Sequence, residues 1–153
     1  MLKRTKIILF FIITAFLIFF GCNKEKSPVP YRHFEVYVDL NCPQFMDIGL
    51  GENVYLEKGC TVFENGGSSG LGIIIYRPFP NAFVAFDRMC TSTTHEPTAV
   101  KLSSESILYI VCPKCGSKYL ISDGSIVSGP ANFYLMEFNA VYYPFNNMLK
   151  ISN

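Results

Sequence analysis

VCPKCGSKYLISDGSIVSGPA, from Val111 to Ala131, is the stretch that decides how this chain folds. It holds two cysteines, Cys112 and Cys115, with two residues between them, then a Gly-Ser pair and two short runs of strand-forming residues. Between those runs lies Ser122-Asp123-Gly124-Ser125, which reads as a hairpin turn because Asp-Gly readily adopts the positive φ angles of a tight reversal. The Cys-x-x-Cys pair therefore follows one strand, SILYIVC, and precedes another, SKYLI. No helix starts here to lower a thiol pKa, so redox catalysis of the thioredoxin kind has little support. Two thiolates around a tight turn are also suited to reaching one metal ion.

Working outward, the strand NAFVAFDRMC ends at Cys90 and opens the loop TSTTHEPTAV, which carries His95; 21 residues separate Cys90 from Cys112. Two loops, each following a strand end, thus present soft ligands. Cys90, His95, Cys112 and Cys115 would form a Cys3His set, a common zinc environment that is also adequate for iron. His95 has a second reading as a solvated residue of a Thr-rich loop. The cysteines have a second reading too. In an oxidising compartment Cys90 would bridge to Cys112 or Cys115, and Cys42 to Cys60. His33, in the first strand, is assigned no function. Neither Glu96 nor Ser92, Thr93 and Thr94 has a base–nucleophile partner, so no catalytic constellation is evident.

The period along the rest of the chain is two. HFEVYVDL puts Phe34, Val36, Val38 and Leu40 on one face, the mark of a half-buried strand. NVYLEKG, LGIIIYR, NAFVAFDR, SIV, ANFYLMEFNAVYY and MLKISN are further strands, with a hairpin turn expected at Pro78-Phe79-Pro80-Asn81. No window of a dozen residues shows a helical stripe outside the N-terminus. The class is all-β, nine or so short strands in a small antiparallel barrel or sandwich, with a two-loop ligand-bearing subdomain over about residues 87–131.

The N-terminus speaks to location. Lys3, Arg4 and Lys6 precede 14 positions, Ile7 to Phe20, that are apolar except for Thr14. That is shorter than the roughly 20 residues a bilayer crossing needs and fits the h-region of a signal peptide. The run ends in Gly21-Cys22, which resembles a bacterial lipoprotein signal with Cys22 as the lipidated residue. The expected organisation is a signal peptide over 1–21, the lipidated Cys22 and a polar tether over 22–30, and one β domain over 31–153. Acyl chains contribute about 0.8 kcal/mol per buried methylene, so the partner is a membrane and the location the bacterial cell envelope, periplasmic or surface side. After cleavage 10 basic residues face 12 acidic ones. With no basic stripe, nucleic acid is not an expected partner.

Taken together, AFDRMCTSTTHEP, VCPKCGSKYLISDGSIVSGPA and FYLMEFNAVYY…LKISN resemble the Rieske iron–sulfur domain. In that family a first loop carries Cys-x-His and a second Cys-x-x-His-Gly-Ser, followed by an aromatic, an Asp/Asn-Gly turn and Gly-Pro-Ala. Cys112, Pro113, Gly116, Ser117, Tyr119, Asp123, Gly124, Gly129, Pro130, Ala131 and Leu135 match the second half, and the resemblance covers roughly residues 70 to 153. Both standard histidines are absent: Ser92 stands at the first position and Cys115 at the second. The resemblance implies a Rieske-type fold and an electron carrier holding a [2Fe–2S] cluster with altered ligation through Cys90, Cys112, Cys115 and His95. A single zinc or iron ion, or a metal-free binding or structural module, are the alternatives. A Rieske oxygenase would need a further catalytic domain, and the redox partner is not named by the sequence.

Overall fold

The computed structural model describes residues 26–46, 52–56 (backbone only) and 66–153. The expected signal segment, Cys22 and Cys60 lie outside the described residues. In chain order the elements are β1 (Glu35–Asp39), a single helical turn α1 (Pro43–Met46), β2 (Glu52–Leu56), β3 (Ile73–Phe79), β4 (Ala82–Asp87), β5 (Lys101–Leu102), β6 (Tyr109–Val111), β7 (Lys118–Leu120), β8 (Ile126–Ser128), β9 (Glu137–Tyr143) and β10 (Met148–Ser152). They form two antiparallel sheets, one ordered β1-β10-β9-β4-β3-β2 and the other β5-β6-β7-β8. The all-β expectation holds.

β1 behaves as its alternation requires. Phe34, Val36, Val38 and Leu40 are buried, and the strand pairs antiparallel with β10. Phe34 meets Phe138 edge-on at 4.6 Å between ring centroids, a favoured aromatic geometry. Ile73-Ile74-Ile75 follows a different rule. All three are fully buried, because β3 is covered on both faces. Ile73 and Ile75 join a cluster with Val36, Val38, Leu149 and Ile151. Ile74 points the other way, with Phe86 of β4, into a second cluster containing Val100, Ile110, Tyr119, Ile121 and Leu135. The second cluster also contains Cys90 and Cys112, so the ligand loops grow out of a core of their own. Truncating a residue such as Ile74 to Ala costs about 2–5 kcal/mol by the usual cavity argument.

Three details depart from the sequence reading. The β3–β4 pairing continues past an irregularity after Tyr76 to Phe79↔Ala82, so the reversal is confined to Pro80-Asn81. Pro78, which lacks an N–H, falls in that irregular stretch, where a lost ladder bond is tolerated. The two-residue strand β5, paired with β6 at Lys101↔Val111 and Leu102↔Ile110, is too short to leave a periodic signal. The run ANFYLMEFNAVYY becomes a strand only from Glu137. Before that, the Leu135 N–H donates to the Gly124 carbonyl, while Ala131 and Leu135 pack into the second core.

Beside the metal-ligand loops, the fully buried Asp87 closes β4. Its carboxylate accepts hydrogen bonds from the Ser69 N–H and hydroxyl and from the Met89 N–H. That ties the 66–72 loop to the strand end from which Cys90 departs. Cys42 is disulfide-bonded, whereas Cys90, Cys112 and Cys115 are free thiols.

Candidate metal centre

Two loops build the site. The first leaves β4, is pinned by the Met89↔Ala99 bridge, and closes where the Cys90 N–H donates to the Thr98 carbonyl at 2.9 Å. The second joins β6 to β7. There the Gly116 N–H donates to the Cys112 carbonyl and the Cys112 N–H to the Ser117 carbonyl, each at 2.9 Å. This short turn folds Cys112 and Cys115 onto one side. Gly116 has φ +73°, a conformation that costs an L side chain about 1–2 kcal/mol.

The four residues singled out by the sequence come together. One ligand atom from each of Cys90, His95, Cys112 and Cys115 lies within 4.8 Å of every other. The Cys90 and Cys115 Sγ atoms are 3.7 Å apart, and His95 Nε2 is 3.5 Å from Cys112 Sγ. Cys90 and Cys112 are buried; Cys115 and His95 are half-buried and form the outer edge.

His95 reaches the sulfurs because the first loop curls. Ser92 Oγ accepts from the Thr94 N–H at 3.3 Å and lies 2.8 Å from Thr94 Oγ1, a local side-chain turn. The imidazole tautomer is then fixed from behind. His95 Nδ1 lies 2.7 Å from the Glu96 carbonyl; since a carbonyl only accepts, Nδ1 carries the proton and Nε2 is left to act as a ligand toward the cysteines. A backbone carbonyl holding the far ring nitrogen is the usual arrangement behind a metal-bound histidine. The same Glu96 hydrogen bond holds the imidazole pKa above its ordinary value, with smaller contributions from Cys115.

The thiols are held unequally. Burial pushes the Cys90 thiol up to about 12, against the hydrogen bond from Tyr119. Burial also opposes ionisation of Cys115, but hydrogen bonds led by those from the Ser117 hydroxyl and backbone outweigh it, and its thiol is lowered to about 6. Two residues the sequence matched only as family positions supply these contacts. Ser117 Oγ lies 3.1 Å from Cys115 Sγ and accepts the Ala131 N–H at 3.1 Å. The Tyr119 hydroxyl lies 3.4 Å from Cys90 Sγ and accepts the Thr91 N–H at 3.2 Å. Nothing in residue type alone marks them as neighbours of the site; Ser117 is held by the turn at Gly129-Pro130-Ala131 folding back over the second loop, and Tyr119 by Thr91 of the first loop. Ser92 stays out of the ligand set, with its hydroxyl turned to Thr94.

No family model matches the chain, and no curated protein matches it. Among solved structures it is similar to the ferredoxin of carbazole 1,9a-dioxygenase from Nocardioides aromaticivorans IC177, with a TM-score of 0.45 and 13% identity over 79% of this chain and 97% of that one. It is also similar to the terminal oxygenase of carbazole 1,9a-dioxygenase from Novosphingobium sp. KA1, with a TM-score of 0.46 and 12% identity over 80% of this chain. It spans 30% of that longer chain.

Proposed function

We propose that this chain is a lipid-anchored protein of the bacterial cell envelope whose β domain carries a metal centre and works as a one-electron carrier. The observation that supports the centre is the convergence of Cys90, His95, Cys112 and Cys115 within 4.8 Å, with the imidazole tautomer fixed for ligation. Carriage of electrons is supported by the resemblance of both ligand loops to the Rieske pattern. The half-exposed His95–Cys115 edge supports it too, as electron exchange needs a metal near the surface while the inner ligands stay dry. The resemblance implies a [2Fe–2S] cluster as the group held, and a single zinc or iron ion is the alternative. Anchoring is supported by the Gly21-Cys22 end of the apolar segment and the polar tether behind it.

A second reading has one observation in its favour. Four protein ligands close a tetrahedral shell and leave no open position for a substrate, the arrangement of structural metal sites. In that case the ion would clasp the two loops and carry no electron.

Voltammetry of the purified protein separates the two. A carrier gives a reversible one-electron wave that is lost in Cys112→Ser; a zinc-filled clasp gives no wave while its metal content remains stoichiometric. The anchor is tested by fractionation of cells producing the full chain. Wild type is expected with the membranes and Cys22→Ser in the soluble fraction; membrane retention of the variant would remove the lipid anchor from the proposal.

A further inference from the structure

We infer that the centre takes one tetrahedral ion of the zinc or ferrous-iron class, not a two-iron cluster. This rests on the metal-centre reading above and specifies the ligand of that site. Four ligands on one ion, with metal–sulfur bonds of about 2.3 Å and metal–nitrogen bonds of about 2.0–2.1 Å, define edges of about 3.75 Å for S–S and about 3.6 Å for S–N. The Cys90–Cys115 separation of 3.7 Å and the Cys112–His95 separation of 3.5 Å match those edges. The remaining pairs, all within 4.8 Å, need at most about an ångström of closure.

A two-iron cluster fails on the same distances. With two irons about 2.7 Å apart and bonds of similar length, terminal ligands on opposite irons stand roughly 5.5 Å apart or more. The family pattern puts Cys90 and Cys112 on one iron and the other two residues on the second. The two close pairs, Cys90 with Cys115 and Cys112 with His95, would then both lie across the cluster, where they are far too near. Exchanging partners puts each close pair on one iron, but all four cross pairs, now within 4.8 Å, would have to open to roughly 5.5 Å or more together. Four donors this close leave no room between them for a second iron and two sulfides. The donor set agrees: where the pattern asks for two imidazoles, position 92 is a serine bonded to Thr94 and position 115 is a third thiolate.

The test is the metal, iron-plus-zinc, and acid-labile sulfide content of the full-length chain, extracted from membranes in detergent without oxygen. One iron or zinc per chain and no labile sulfide is the expected result. Two irons with two sulfides per chain would overturn the single ion while leaving the electron-carrier proposal standing. No metal at all would overturn both. Two variants give an independent arm, read by competition against a chromophoric zinc chelator. His95→Ala is expected to lose at least about tenfold in affinity, and Ser92→Ala, which removes only the turn that carries His95 and no ligand atom, to lose clearly less. Loss in Ser92→Ala with retention in His95→Ala would restore the family ligation and refute the inference.

Discussion

Gly129 and Gly116 allow a sharp test of how the ligand loop is held. Both have positive φ, +102° and +73°, so alanine at either carries a backbone cost of about 1–2 kcal/mol. Only one carries a steric cost. An added Cβ at Gly116, the neighbour of a ligand, meets nothing within 4 Å. At Gly129, 14 residues beyond Cys115 in sequence, it would press on the Cα of Ser117 and come within 2.8 Å of its Oγ and 3.0 Å of its N. Ser117 would have to move. Its hydrogen bond from the Ala131 N–H would be strained or lost, for about 1 kcal/mol, and overpacking adds about 1–3 kcal/mol. Gly129→Ala should therefore cost about 3–6 kcal/mol in all, about 2–4 kcal/mol more than Gly116→Ala. Urea unfolding at a fixed metal load reads the difference, and metal retention should fall with it because Ser117 contacts Cys115 Sγ at 3.1 Å. Equal destabilisation by the two alanines, or a larger effect at Gly116, would refute the idea that the Gly-Pro-Ala turn clamps the second loop.

Further outcomes are expected elsewhere. Asp87→Asn turns an amide N–H toward groups that already donate and should cost about 2–4 kcal/mol in denaturant unfolding; a loss below about 1 kcal/mol would mean the 66–72 loop does not depend on the carboxylate. Stripping the metal with a chelator should lower the thermal midpoint by on the order of 10 °C, since an ion at a hundred times its Kd contributes about 2.7 kcal/mol; an unchanged calorimetric midpoint would mean the ion does not clasp the loops. The Lys150 ammonium, 2.7 Å from Glu35, holds that carboxyl below the usual range, so the small stability of the pair is present above the ordinary Glu value and lost as pH falls through the lowered one. NMR titration of Lys150→Met should show the Glu35 pKa rising; no movement would assign the shift to another group.

What the sequence disclosed divides along physical lines. Alternation sufficed for β1, since one face meets the core and the other does not. It could not interpret Ile73-Ile74-Ile75, whose unbroken burial depends on what covers each side of β3. Cys90, Cys112 and Cys115 were legible as one group because two loops, each following a strand end, carry them, but that spacing suits a disulfide as well as a metal. His95 was not decided, because its role depends on the Ser92–Thr94 turn and on the Glu96 carbonyl behind the ring. Those are conformational facts carried by residues that look like ordinary loop polarity. The segment after Ala131 misled for a related reason. Leu135 serves the second core and Met136 the first from an irregular backbone anchored by Gly124 and by the Thr91 hydroxyl, and apolar alternation does not distinguish that from a strand.

The direction of the hydroxyl protons ties the ligand loops to the charge they would have to hold. Three thiolates and a neutral imidazole on a divalent ion leave one net negative charge, which a half-buried site must offset with donors. Ser117 Oγ already accepts from the Ala131 N–H, so its own proton is free to face Cys115 Sγ. The Thr91 hydroxyl donates to the Phe133 carbonyl, so in the Thr91–Tyr119 contact at 3.0 Å it is the acceptor. The Tyr119 proton is thereby left to Thr91 Oγ1 or Cys90 Sγ and to nothing else. One donor thus stands beside a buried thiol, Cys90, and one beside the half-buried Cys115, both directed by backbone groups of the 131–133 segment. If that direction matters, Tyr119→Phe leaves the buried Thr91 N–H without its acceptor and should cost about 1–3 kcal/mol. It should also weaken metal binding more than Ser117→Ala does, because Cys90 has less solvent to replace the missing donor. Equal losses of affinity in the two variants would show that the metal is indifferent to where its charge is buried.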